Sequence, residues 1–153
     1  MDALADVRRY PTSRRMPWFS REPLAAAVEA AGIEYVHLPE LGGRRDPLPD
    51  SPNGGWRVRQ FQGYADHMRT TEFAAGMERL LEFAGRRRTA VMCAEAAWWR
   101  CHRRLLSDAL LAKGWEVIHI DARGAAKPHE LTEFAVVDGE AVAYPPAQAA
   151  LDV

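Results

Sequence analysis

Long apolar runs are missing from this chain. No stretch approaches the roughly 18 consecutive apolar residues of a membrane-spanning helix, so a transmembrane helix is excluded. An excess of one charge is missing too: 20 basic residues face 21 acidic ones, leaving a net charge of −1. A bulk basic balance for nucleic acid is therefore absent, although a local patch is not. Cysteine is scarce. Cys93 and Cys101 alone cannot make a disulfide-framework protein. Lysine is scarcer than arginine, with Lys113 and Lys127 its only examples. There is no internal repeat, no long low-complexity linker and no phosphate-binding glycine motif of the nucleotide type. The acidic stretch Met1–Asp6, followed by arginines, does not read as a signal peptide. A reduced, cytoplasmic location is the expectation.

What remains is the composition of an ordinary globular domain: 153 residues, 48% apolar and 27% charged. One domain spanning residues 1–153 fits that length. Strands and helices alternate in the periodicity. Ala5–Arg8 reads as a short strand. Ser20 reads as the N-cap of a helix running to about Ala31, with Gly32 as its stop. Ile33–Leu38 reads as the next strand. Residues 39–63, rich in proline and glycine, read as irregular, and loops of that length are often functional. Tyr64–Arg69 suggests one or two helical turns. Thr71 to about Ala84 suggests a firm helix, with Phe73, Met77, Leu80 and Leu81 as its apolar face and Gly85 closing it. Thr89–Cys93 is the best candidate for a central buried strand. A helix over Cys101–Lys113 and a strand over Trp115–Asp121 follow. Phe134–Val137 and Ala141–Tyr144 suggest a hairpin turning at Asp138-Gly139. The expected fold is α/β: a three-layer, Rossmann-like sandwich with a mostly parallel sheet and a C-terminal antiparallel hairpin.

In such a sheet, ligands bind beyond the carboxyl ends of the strands. Two strand ends carry unusual residues. One brings Asp6, Arg8, Ser13 and Arg14 as candidate substrate-binding residues. Arg8 could take an anion bidentately, or Asp6 and Arg8 could form a structural ion pair at the sheet rim. The other brings Cys93 and Glu95, then Cys101, His102 and Arg103. A helix N-terminus and adjacent cations lower a thiol pKa and can hold an anion. Cys93 and Cys101 are thus candidate nucleophiles, Glu95 a candidate acid or base, and His102 a fourth catalytic candidate. Arg103 and Tyr64 are candidates for binding substrate. The bland alternative makes the cysteines small buried hydrophobes and the others solvated or capping residues.

Spacing excludes two named chemistries. A phosphatase-type loop needs arginine six positions after its cysteine, where this chain has Trp99, with Arg100 one later. A structural zinc site needs closer cysteines and a second ligand pair, so no metal site is assigned. No cofactor is assigned. Arg44, Arg45, Arg57 and Arg59, interleaved with Trp56, Phe61 and Tyr64, have the composition of a surface that stacks on bases and follows phosphates.

At these residues the chain resembles the DUF488 family, a group without an assigned function. The matching stretches are DVRRYPTSRRMPWFS, GIEYVHLPELGGRR, GWRVRQFQGYADHMRTTEF and AVMCAEAAWWRCHRRLLSDAL with VIHI. The Cys-x-Glu followed by Cys-His-Arg is the most specific of them. The resemblance runs from Asp6 to about Tyr144. It implies that a further strand and helix, opening on a Thr-Ile-Gly-His-Ser-like stretch, normally precede this strand. Their absence here would leave an open sheet edge for a second subunit to cover. The expected function is an enzyme acting on an anionic, nucleotide-like small molecule through the Cys/Glu/Cys-His-Arg cluster. The alternatives are a nucleic-acid-binding module using loop 44–64 and a non-catalytic interaction subunit. A homodimer is the expected assembly, and no membrane partner is expected.

Overall fold

A computed structural model of the chain describes residues 1–147. In chain order its elements are β1 (Ala3–Asp6), α1 (Arg21–Ala30), β2 (Glu34–His37), α2 (Arg59–His67), α3 (Thr71–Arg86), β3 (Thr89–Met92), α4 (Arg103–Ala112), β4 (Ile118–Ile120), β5 (Ala126–Pro128), β6 (Val136–Asp138) and β7 (Ala141–Ala143). The protein is α/β, with a three-stranded parallel sheet flanked by helices and small antiparallel hairpins toward the C-terminus. Among the described residues, no helix is long and apolar enough to cross a membrane. Two compact units are formed: Met1–Gly42 with Thr71–Ala94, and Gly43–Thr70 with the chain from Glu95 onward.

The first unit holds the parallel sheet, in the order β2-β1-β3. All four residues of β1 are buried, as expected for a central parallel strand with both faces covered. This corrects the sequence expectation that Thr89–Cys93 is central: β3 is an edge of this sheet, and all of its residues are only half-buried. Its apolar run resembles a core strand, whereas β1 is short, small and ends in an aspartate. The open edge expected beside β1 is also corrected, because β1 pairs with a strand on each side. Ser20 precedes α1 but does not cap it with its side chain; its hydroxyl accepts the Ser13 N–H at 3.1 Å instead. On α3, the buried residues Phe73, Gly76, Met77 and Leu80 follow the helical period of one apolar stripe. This helix runs past Gly85 to Arg86.

The second unit is built around α4, whose residues 105–110 are all buried. Residues 115–121 do not extend the parallel sheet. Only Ile118–Ile120 is a strand, and it pairs antiparallel with β5. A short run such as this carries no signal of its partner's direction. The C-terminal hairpin is present as β6 and β7, pairing Asp138 with Ala141. Its two-residue turn is therefore Gly139-Glu140, one position later than expected. Gly139 has φ +62°, a conformation glycine adopts without steric cost.

The long loop before α2 has more order than its composition implies. Buried Asp66 on α2 accepts hydrogen bonds from the Leu48 N–H (2.9 Å), the Ser51 hydroxyl (2.8 Å) and the Asn53 amide (2.7 Å). The Asn53 carbonyl oxygen in turn accepts the Tyr144 N–H at 2.9 Å. One carboxylate thus gathers a stretch that lacks a ladder of its own.

Candidate functional site

In the first unit, the register sets Asp6, His37 and Met92 level at the carboxyl ends of the three strands. Cys93 follows Met92 and is half-buried. Asp6 is fully buried and Arg8 is 6% exposed. The Arg8 Nε and Nη2 donate to the two Asp6 oxygens at 2.9 and 2.7 Å. The Arg8 backbone N–H adds a bond at 3.1 Å, and the Tyr35 hydroxyl donates to Oδ2 at 2.5 Å. The third nitrogen of the fork, Nη1, donates to the Phe19 carbonyl at 2.7 Å. The Arg8 carbonyl is held at 2.7 Å by His37 Nε2, which must carry the hydrogen. Burial alone pushes the Asp6 carboxyl up, but the Arg8 and Tyr35 hydrogen bonds and the Arg8 charge outweigh it and hold the group ionised below its usual range. Burial first, then the bond to Asp6, pushes the Tyr35 hydroxyl up.

This geometry is a brace. Three N–H groups of Arg8 are spent on the protein itself, as a structural ion pair requires. Tyr35 and His37, which complete it, stand two apart on β2 and so face the same side of the sheet. Sequence reading missed both because their partners lie 29 residues away in the chain. Ser13 sits in the loop after β1, its hydroxyl accepting the Met16 N–H at 3.2 Å, and Arg14 is exposed.

In the second unit, the Cys-His-Arg triplet starts α4, two residues later than the sequence suggests. Cys101 precedes the N-cap residue His102, and Arg103 is the first helical residue. That offset turns the start of the helix toward the sulfur. Cys101 Sγ accepts the Arg103 backbone N–H and the Arg103 Nε–H, each at 3.4 Å. His102 Nδ1 lies 3.5 Å from the same sulfur. The Arg103 guanidinium also donates to the Glu95 carbonyl and, at 3.4 Å, to that of Ala96. One arginine thereby ties the loop carrying Glu95 to the thiol. The Glu95 side chain is exposed, with Oε1 3.5 Å from the Ala97 N–H. The Tyr64 ring is fully buried, 5.1 Å from the His102 ring. Gly43 admits the imidazole, since a Cβ there would stand 2.8 Å from His102 Nδ1.

The arginine–aromatic loop does not present the aromatic surface its composition suggests. Trp56 is buried between Phe61, Phe134 and Tyr144, with ring centroids 5.3, 4.7 and 5.1 Å away. Arg104 lies over its face at 5.0 Å. Trp56 and Tyr64 thus pack the core of their unit, and neither offers a face for a base to stack on.

Sequence reading missed a second polar cluster in this unit. Asp108 on α4 is fully buried and accepts from His129 Nε2 (2.8 Å), the Tyr144 hydroxyl (2.7 Å) and the Thr132 N–H (3.1 Å). His129 Nδ1 lies 2.7 Å from His119 Nε2, and His119 stacks on Trp98 at 3.8 Å. Desolvation by burial, then the neighbouring His129 and Arg103, hold His119 down at about 4. The sequence signal was slight: Asp108 and His119 stand inside apolar runs, and His129, between Pro128 and Glu130, does not. Among the described residues, no group of three or more His, Cys, Asp or Glu side chains is arranged to hold a metal ion.

Comparison with curated proteins finds no match, and comparison with solved structures finds none. A family model does match, over residues 1–110. It starts at the first residue. It covers β1 to most of α4, with the Asp6–Arg8 brace and the whole Cys-x-Glu…Cys-His-Arg motif, so the chain belongs to the family described as "Domain of unknown function DUF488".

Proposed function

We propose that this protein is an enzyme of covalent thiol chemistry, acting on an anionic small molecule of nucleotide-like kind, with Cys101 as the nucleophile. The observation that carries the proposal is the pair of Arg103 donors on one sulfur, each at 3.4 Å. N–H donors from a cation favour thiolate over thiol, and the N-terminus of α4 adds its partial positive charge in the same place. The guanidinium beside the sulfur is also the group an anionic substrate would meet there. In the reaction, Sγ forms a bond to the electrophilic centre of the substrate, and the leaving group departs with its electron pair. To Glu95, on the loop that Arg103 anchors, we assign the role of proton carrier for that group. Tyr64, packed against His102, positions the imidazole.

The test is alkylation of Cys101 by iodoacetamide in the folded protein, read by peptide mass. Cys101 is 5% exposed, so a small reagent is required. Inorganic phosphate, acetate and a nucleoside monophosphate are added in turn. The expected result is alkylation in the native state, slowed several-fold by at least one of these anions, with the protection lost in Arg103→Leu. A thiol that reacts only after unfolding, or one indifferent to all three anions, would contradict the proposal.

A further inference from the structure

The cluster of Asp108, His129 and His119 is unused by the thiol chemistry, and its hydrogen positions follow from its partners. An ionised carboxylate only accepts, so the 2.8 Å contact to Asp108 requires a hydrogen on His129 Nε2. A neutral His129 then has a lone pair on Nδ1. The 2.7 Å contact to His119 must use a hydrogen on His119 Nε2. His119 is left with its lone pair on Nδ1, which accepts no hydrogen bond among the described residues. That ring is only half-buried, whereas His129 is 6% exposed. Trp98 fixes both imidazoles, lying parallel to His119 within 2° and edge-on to His129 at 5.4 Å.

We propose that Asp108, His129 and His119 form a proton relay, with His119 Nδ1 as the general base for an O–H group of water or of a ligand hydroxyl. The O–H bond breaks, its electron pair stays on oxygen, and its proton goes to His119 Nδ1. The hydrogen on His119 Nε2 passes to His129 Nδ1. The positive charge ends on His129, where the Asp108 carboxylate stands 2.8 Å away. His119 is a poor place for that charge, because burial, His129 and Arg103 all oppose it. The relay moves the charge from a position that disfavours it to one that supports it. Tyr144 and Thr132 hold the carboxylate in place from β7's end and the loop before β6. The inference does not depend on Cys101.

Two measurements on the full chain test it. The first is nitrogen NMR of the histidine rings at pH 7. The expected result is neutral His119 with its hydrogen on Nε2 and a bare Nδ1, and His129 with its hydrogen on Nε2. A hydrogen on His119 Nδ1 would overturn the relay. The second is acylation of His119 by diethyl pyrocarbonate at pH 6, read by peptide mass. Asp108→Asn is expected to slow it several-fold, because the carboxylate that supports the charge on His129 is gone. An unchanged rate would also overturn it. If Asp108→Asn does not fold, His129→Gln applies the same test, because an amide cannot take up the proton.

Discussion

At the scale of single residues, three buried aspartates order the molecule, and each is legible only with its partners in view. Asp6 and Arg8 are two apart in sequence, close enough for a pairing to be read directly, and the structure makes that pair. Tyr35, His37 and the Phe19 carbonyl complete the brace from distant positions. Removing the Asp6 charge would strand a buried guanidinium. Asp6→Asn is therefore expected to lose about 3–5 kcal/mol of stability, measured by urea unfolding. Tyr35→Phe removes one hydrogen bond to a charged group and is expected to lose about 1.5–3 kcal/mol. Equal, small losses for both variants would mean that Arg8 finds another partner. Asp66 and Asp108 gave no such local signal. Their ligands come from loops and strand ends, and nothing in composition or period announces a loop gathered by one carboxylate.

At the scale of elements, the strongly periodic segments were the readable ones. The stripe of Phe73, Met77 and Leu80 gave α3 nearly to its ends, and the glycine turn gave the C-terminal hairpin to within one residue. Two readings failed for physical reasons. β1 is too short and too polar at its end to announce itself as the central strand, although burial on both faces makes it so. The glycine expected to close α3 lies inside the helix, where its neighbours carry the helical bonds. Space around the glycines gives a paired prediction. A Cβ on Gly63 would lie 1.9 Å from the Arg45 carbonyl oxygen, whereas one on Gly85 would meet nothing within 4 Å. Gly63→Ala is expected to destabilise by about 3 kcal/mol or more. Gly85→Ala is expected to stabilise by about 0.4–1 kcal/mol, because alanine has less backbone freedom to lose in a helical conformation. Thermal melts of the two variants check both signs.

At the scale of the whole molecule, acid stability follows from the shifted groups. Asp6 is held below the ordinary carboxyl value of 3.8, so its contribution is complete above that pH and is lost as pH falls through its native value. His119 is lowered from 6.5 to about 4. Between those values the unfolded chain binds a proton that the native protein refuses, so stability falls as pH drops from 6.5 toward 4. Partial solvation of His119 keeps that loss modest. His119→Gln is expected to flatten the stability profile across this window, as read from urea midpoints at several pH values. A profile unchanged by the substitution would mean that His119 titrates normally. The fold class was legible in the sequence, and so was the grouping of Cys101, His102 and Arg103, whose members are close in the chain. The geometry of the thiol was not, because it depends on where α4 starts, to within two residues. The measurement that tests this account most directly is the rate of Cys101 alkylation against pH, in wild type and Arg103→Leu. The wild-type rate is expected to stay high well below the pH of about 8.5 at which a free thiol loses its proton, and the Arg103→Leu rate to fall away there. Identical profiles for the two proteins would contradict it.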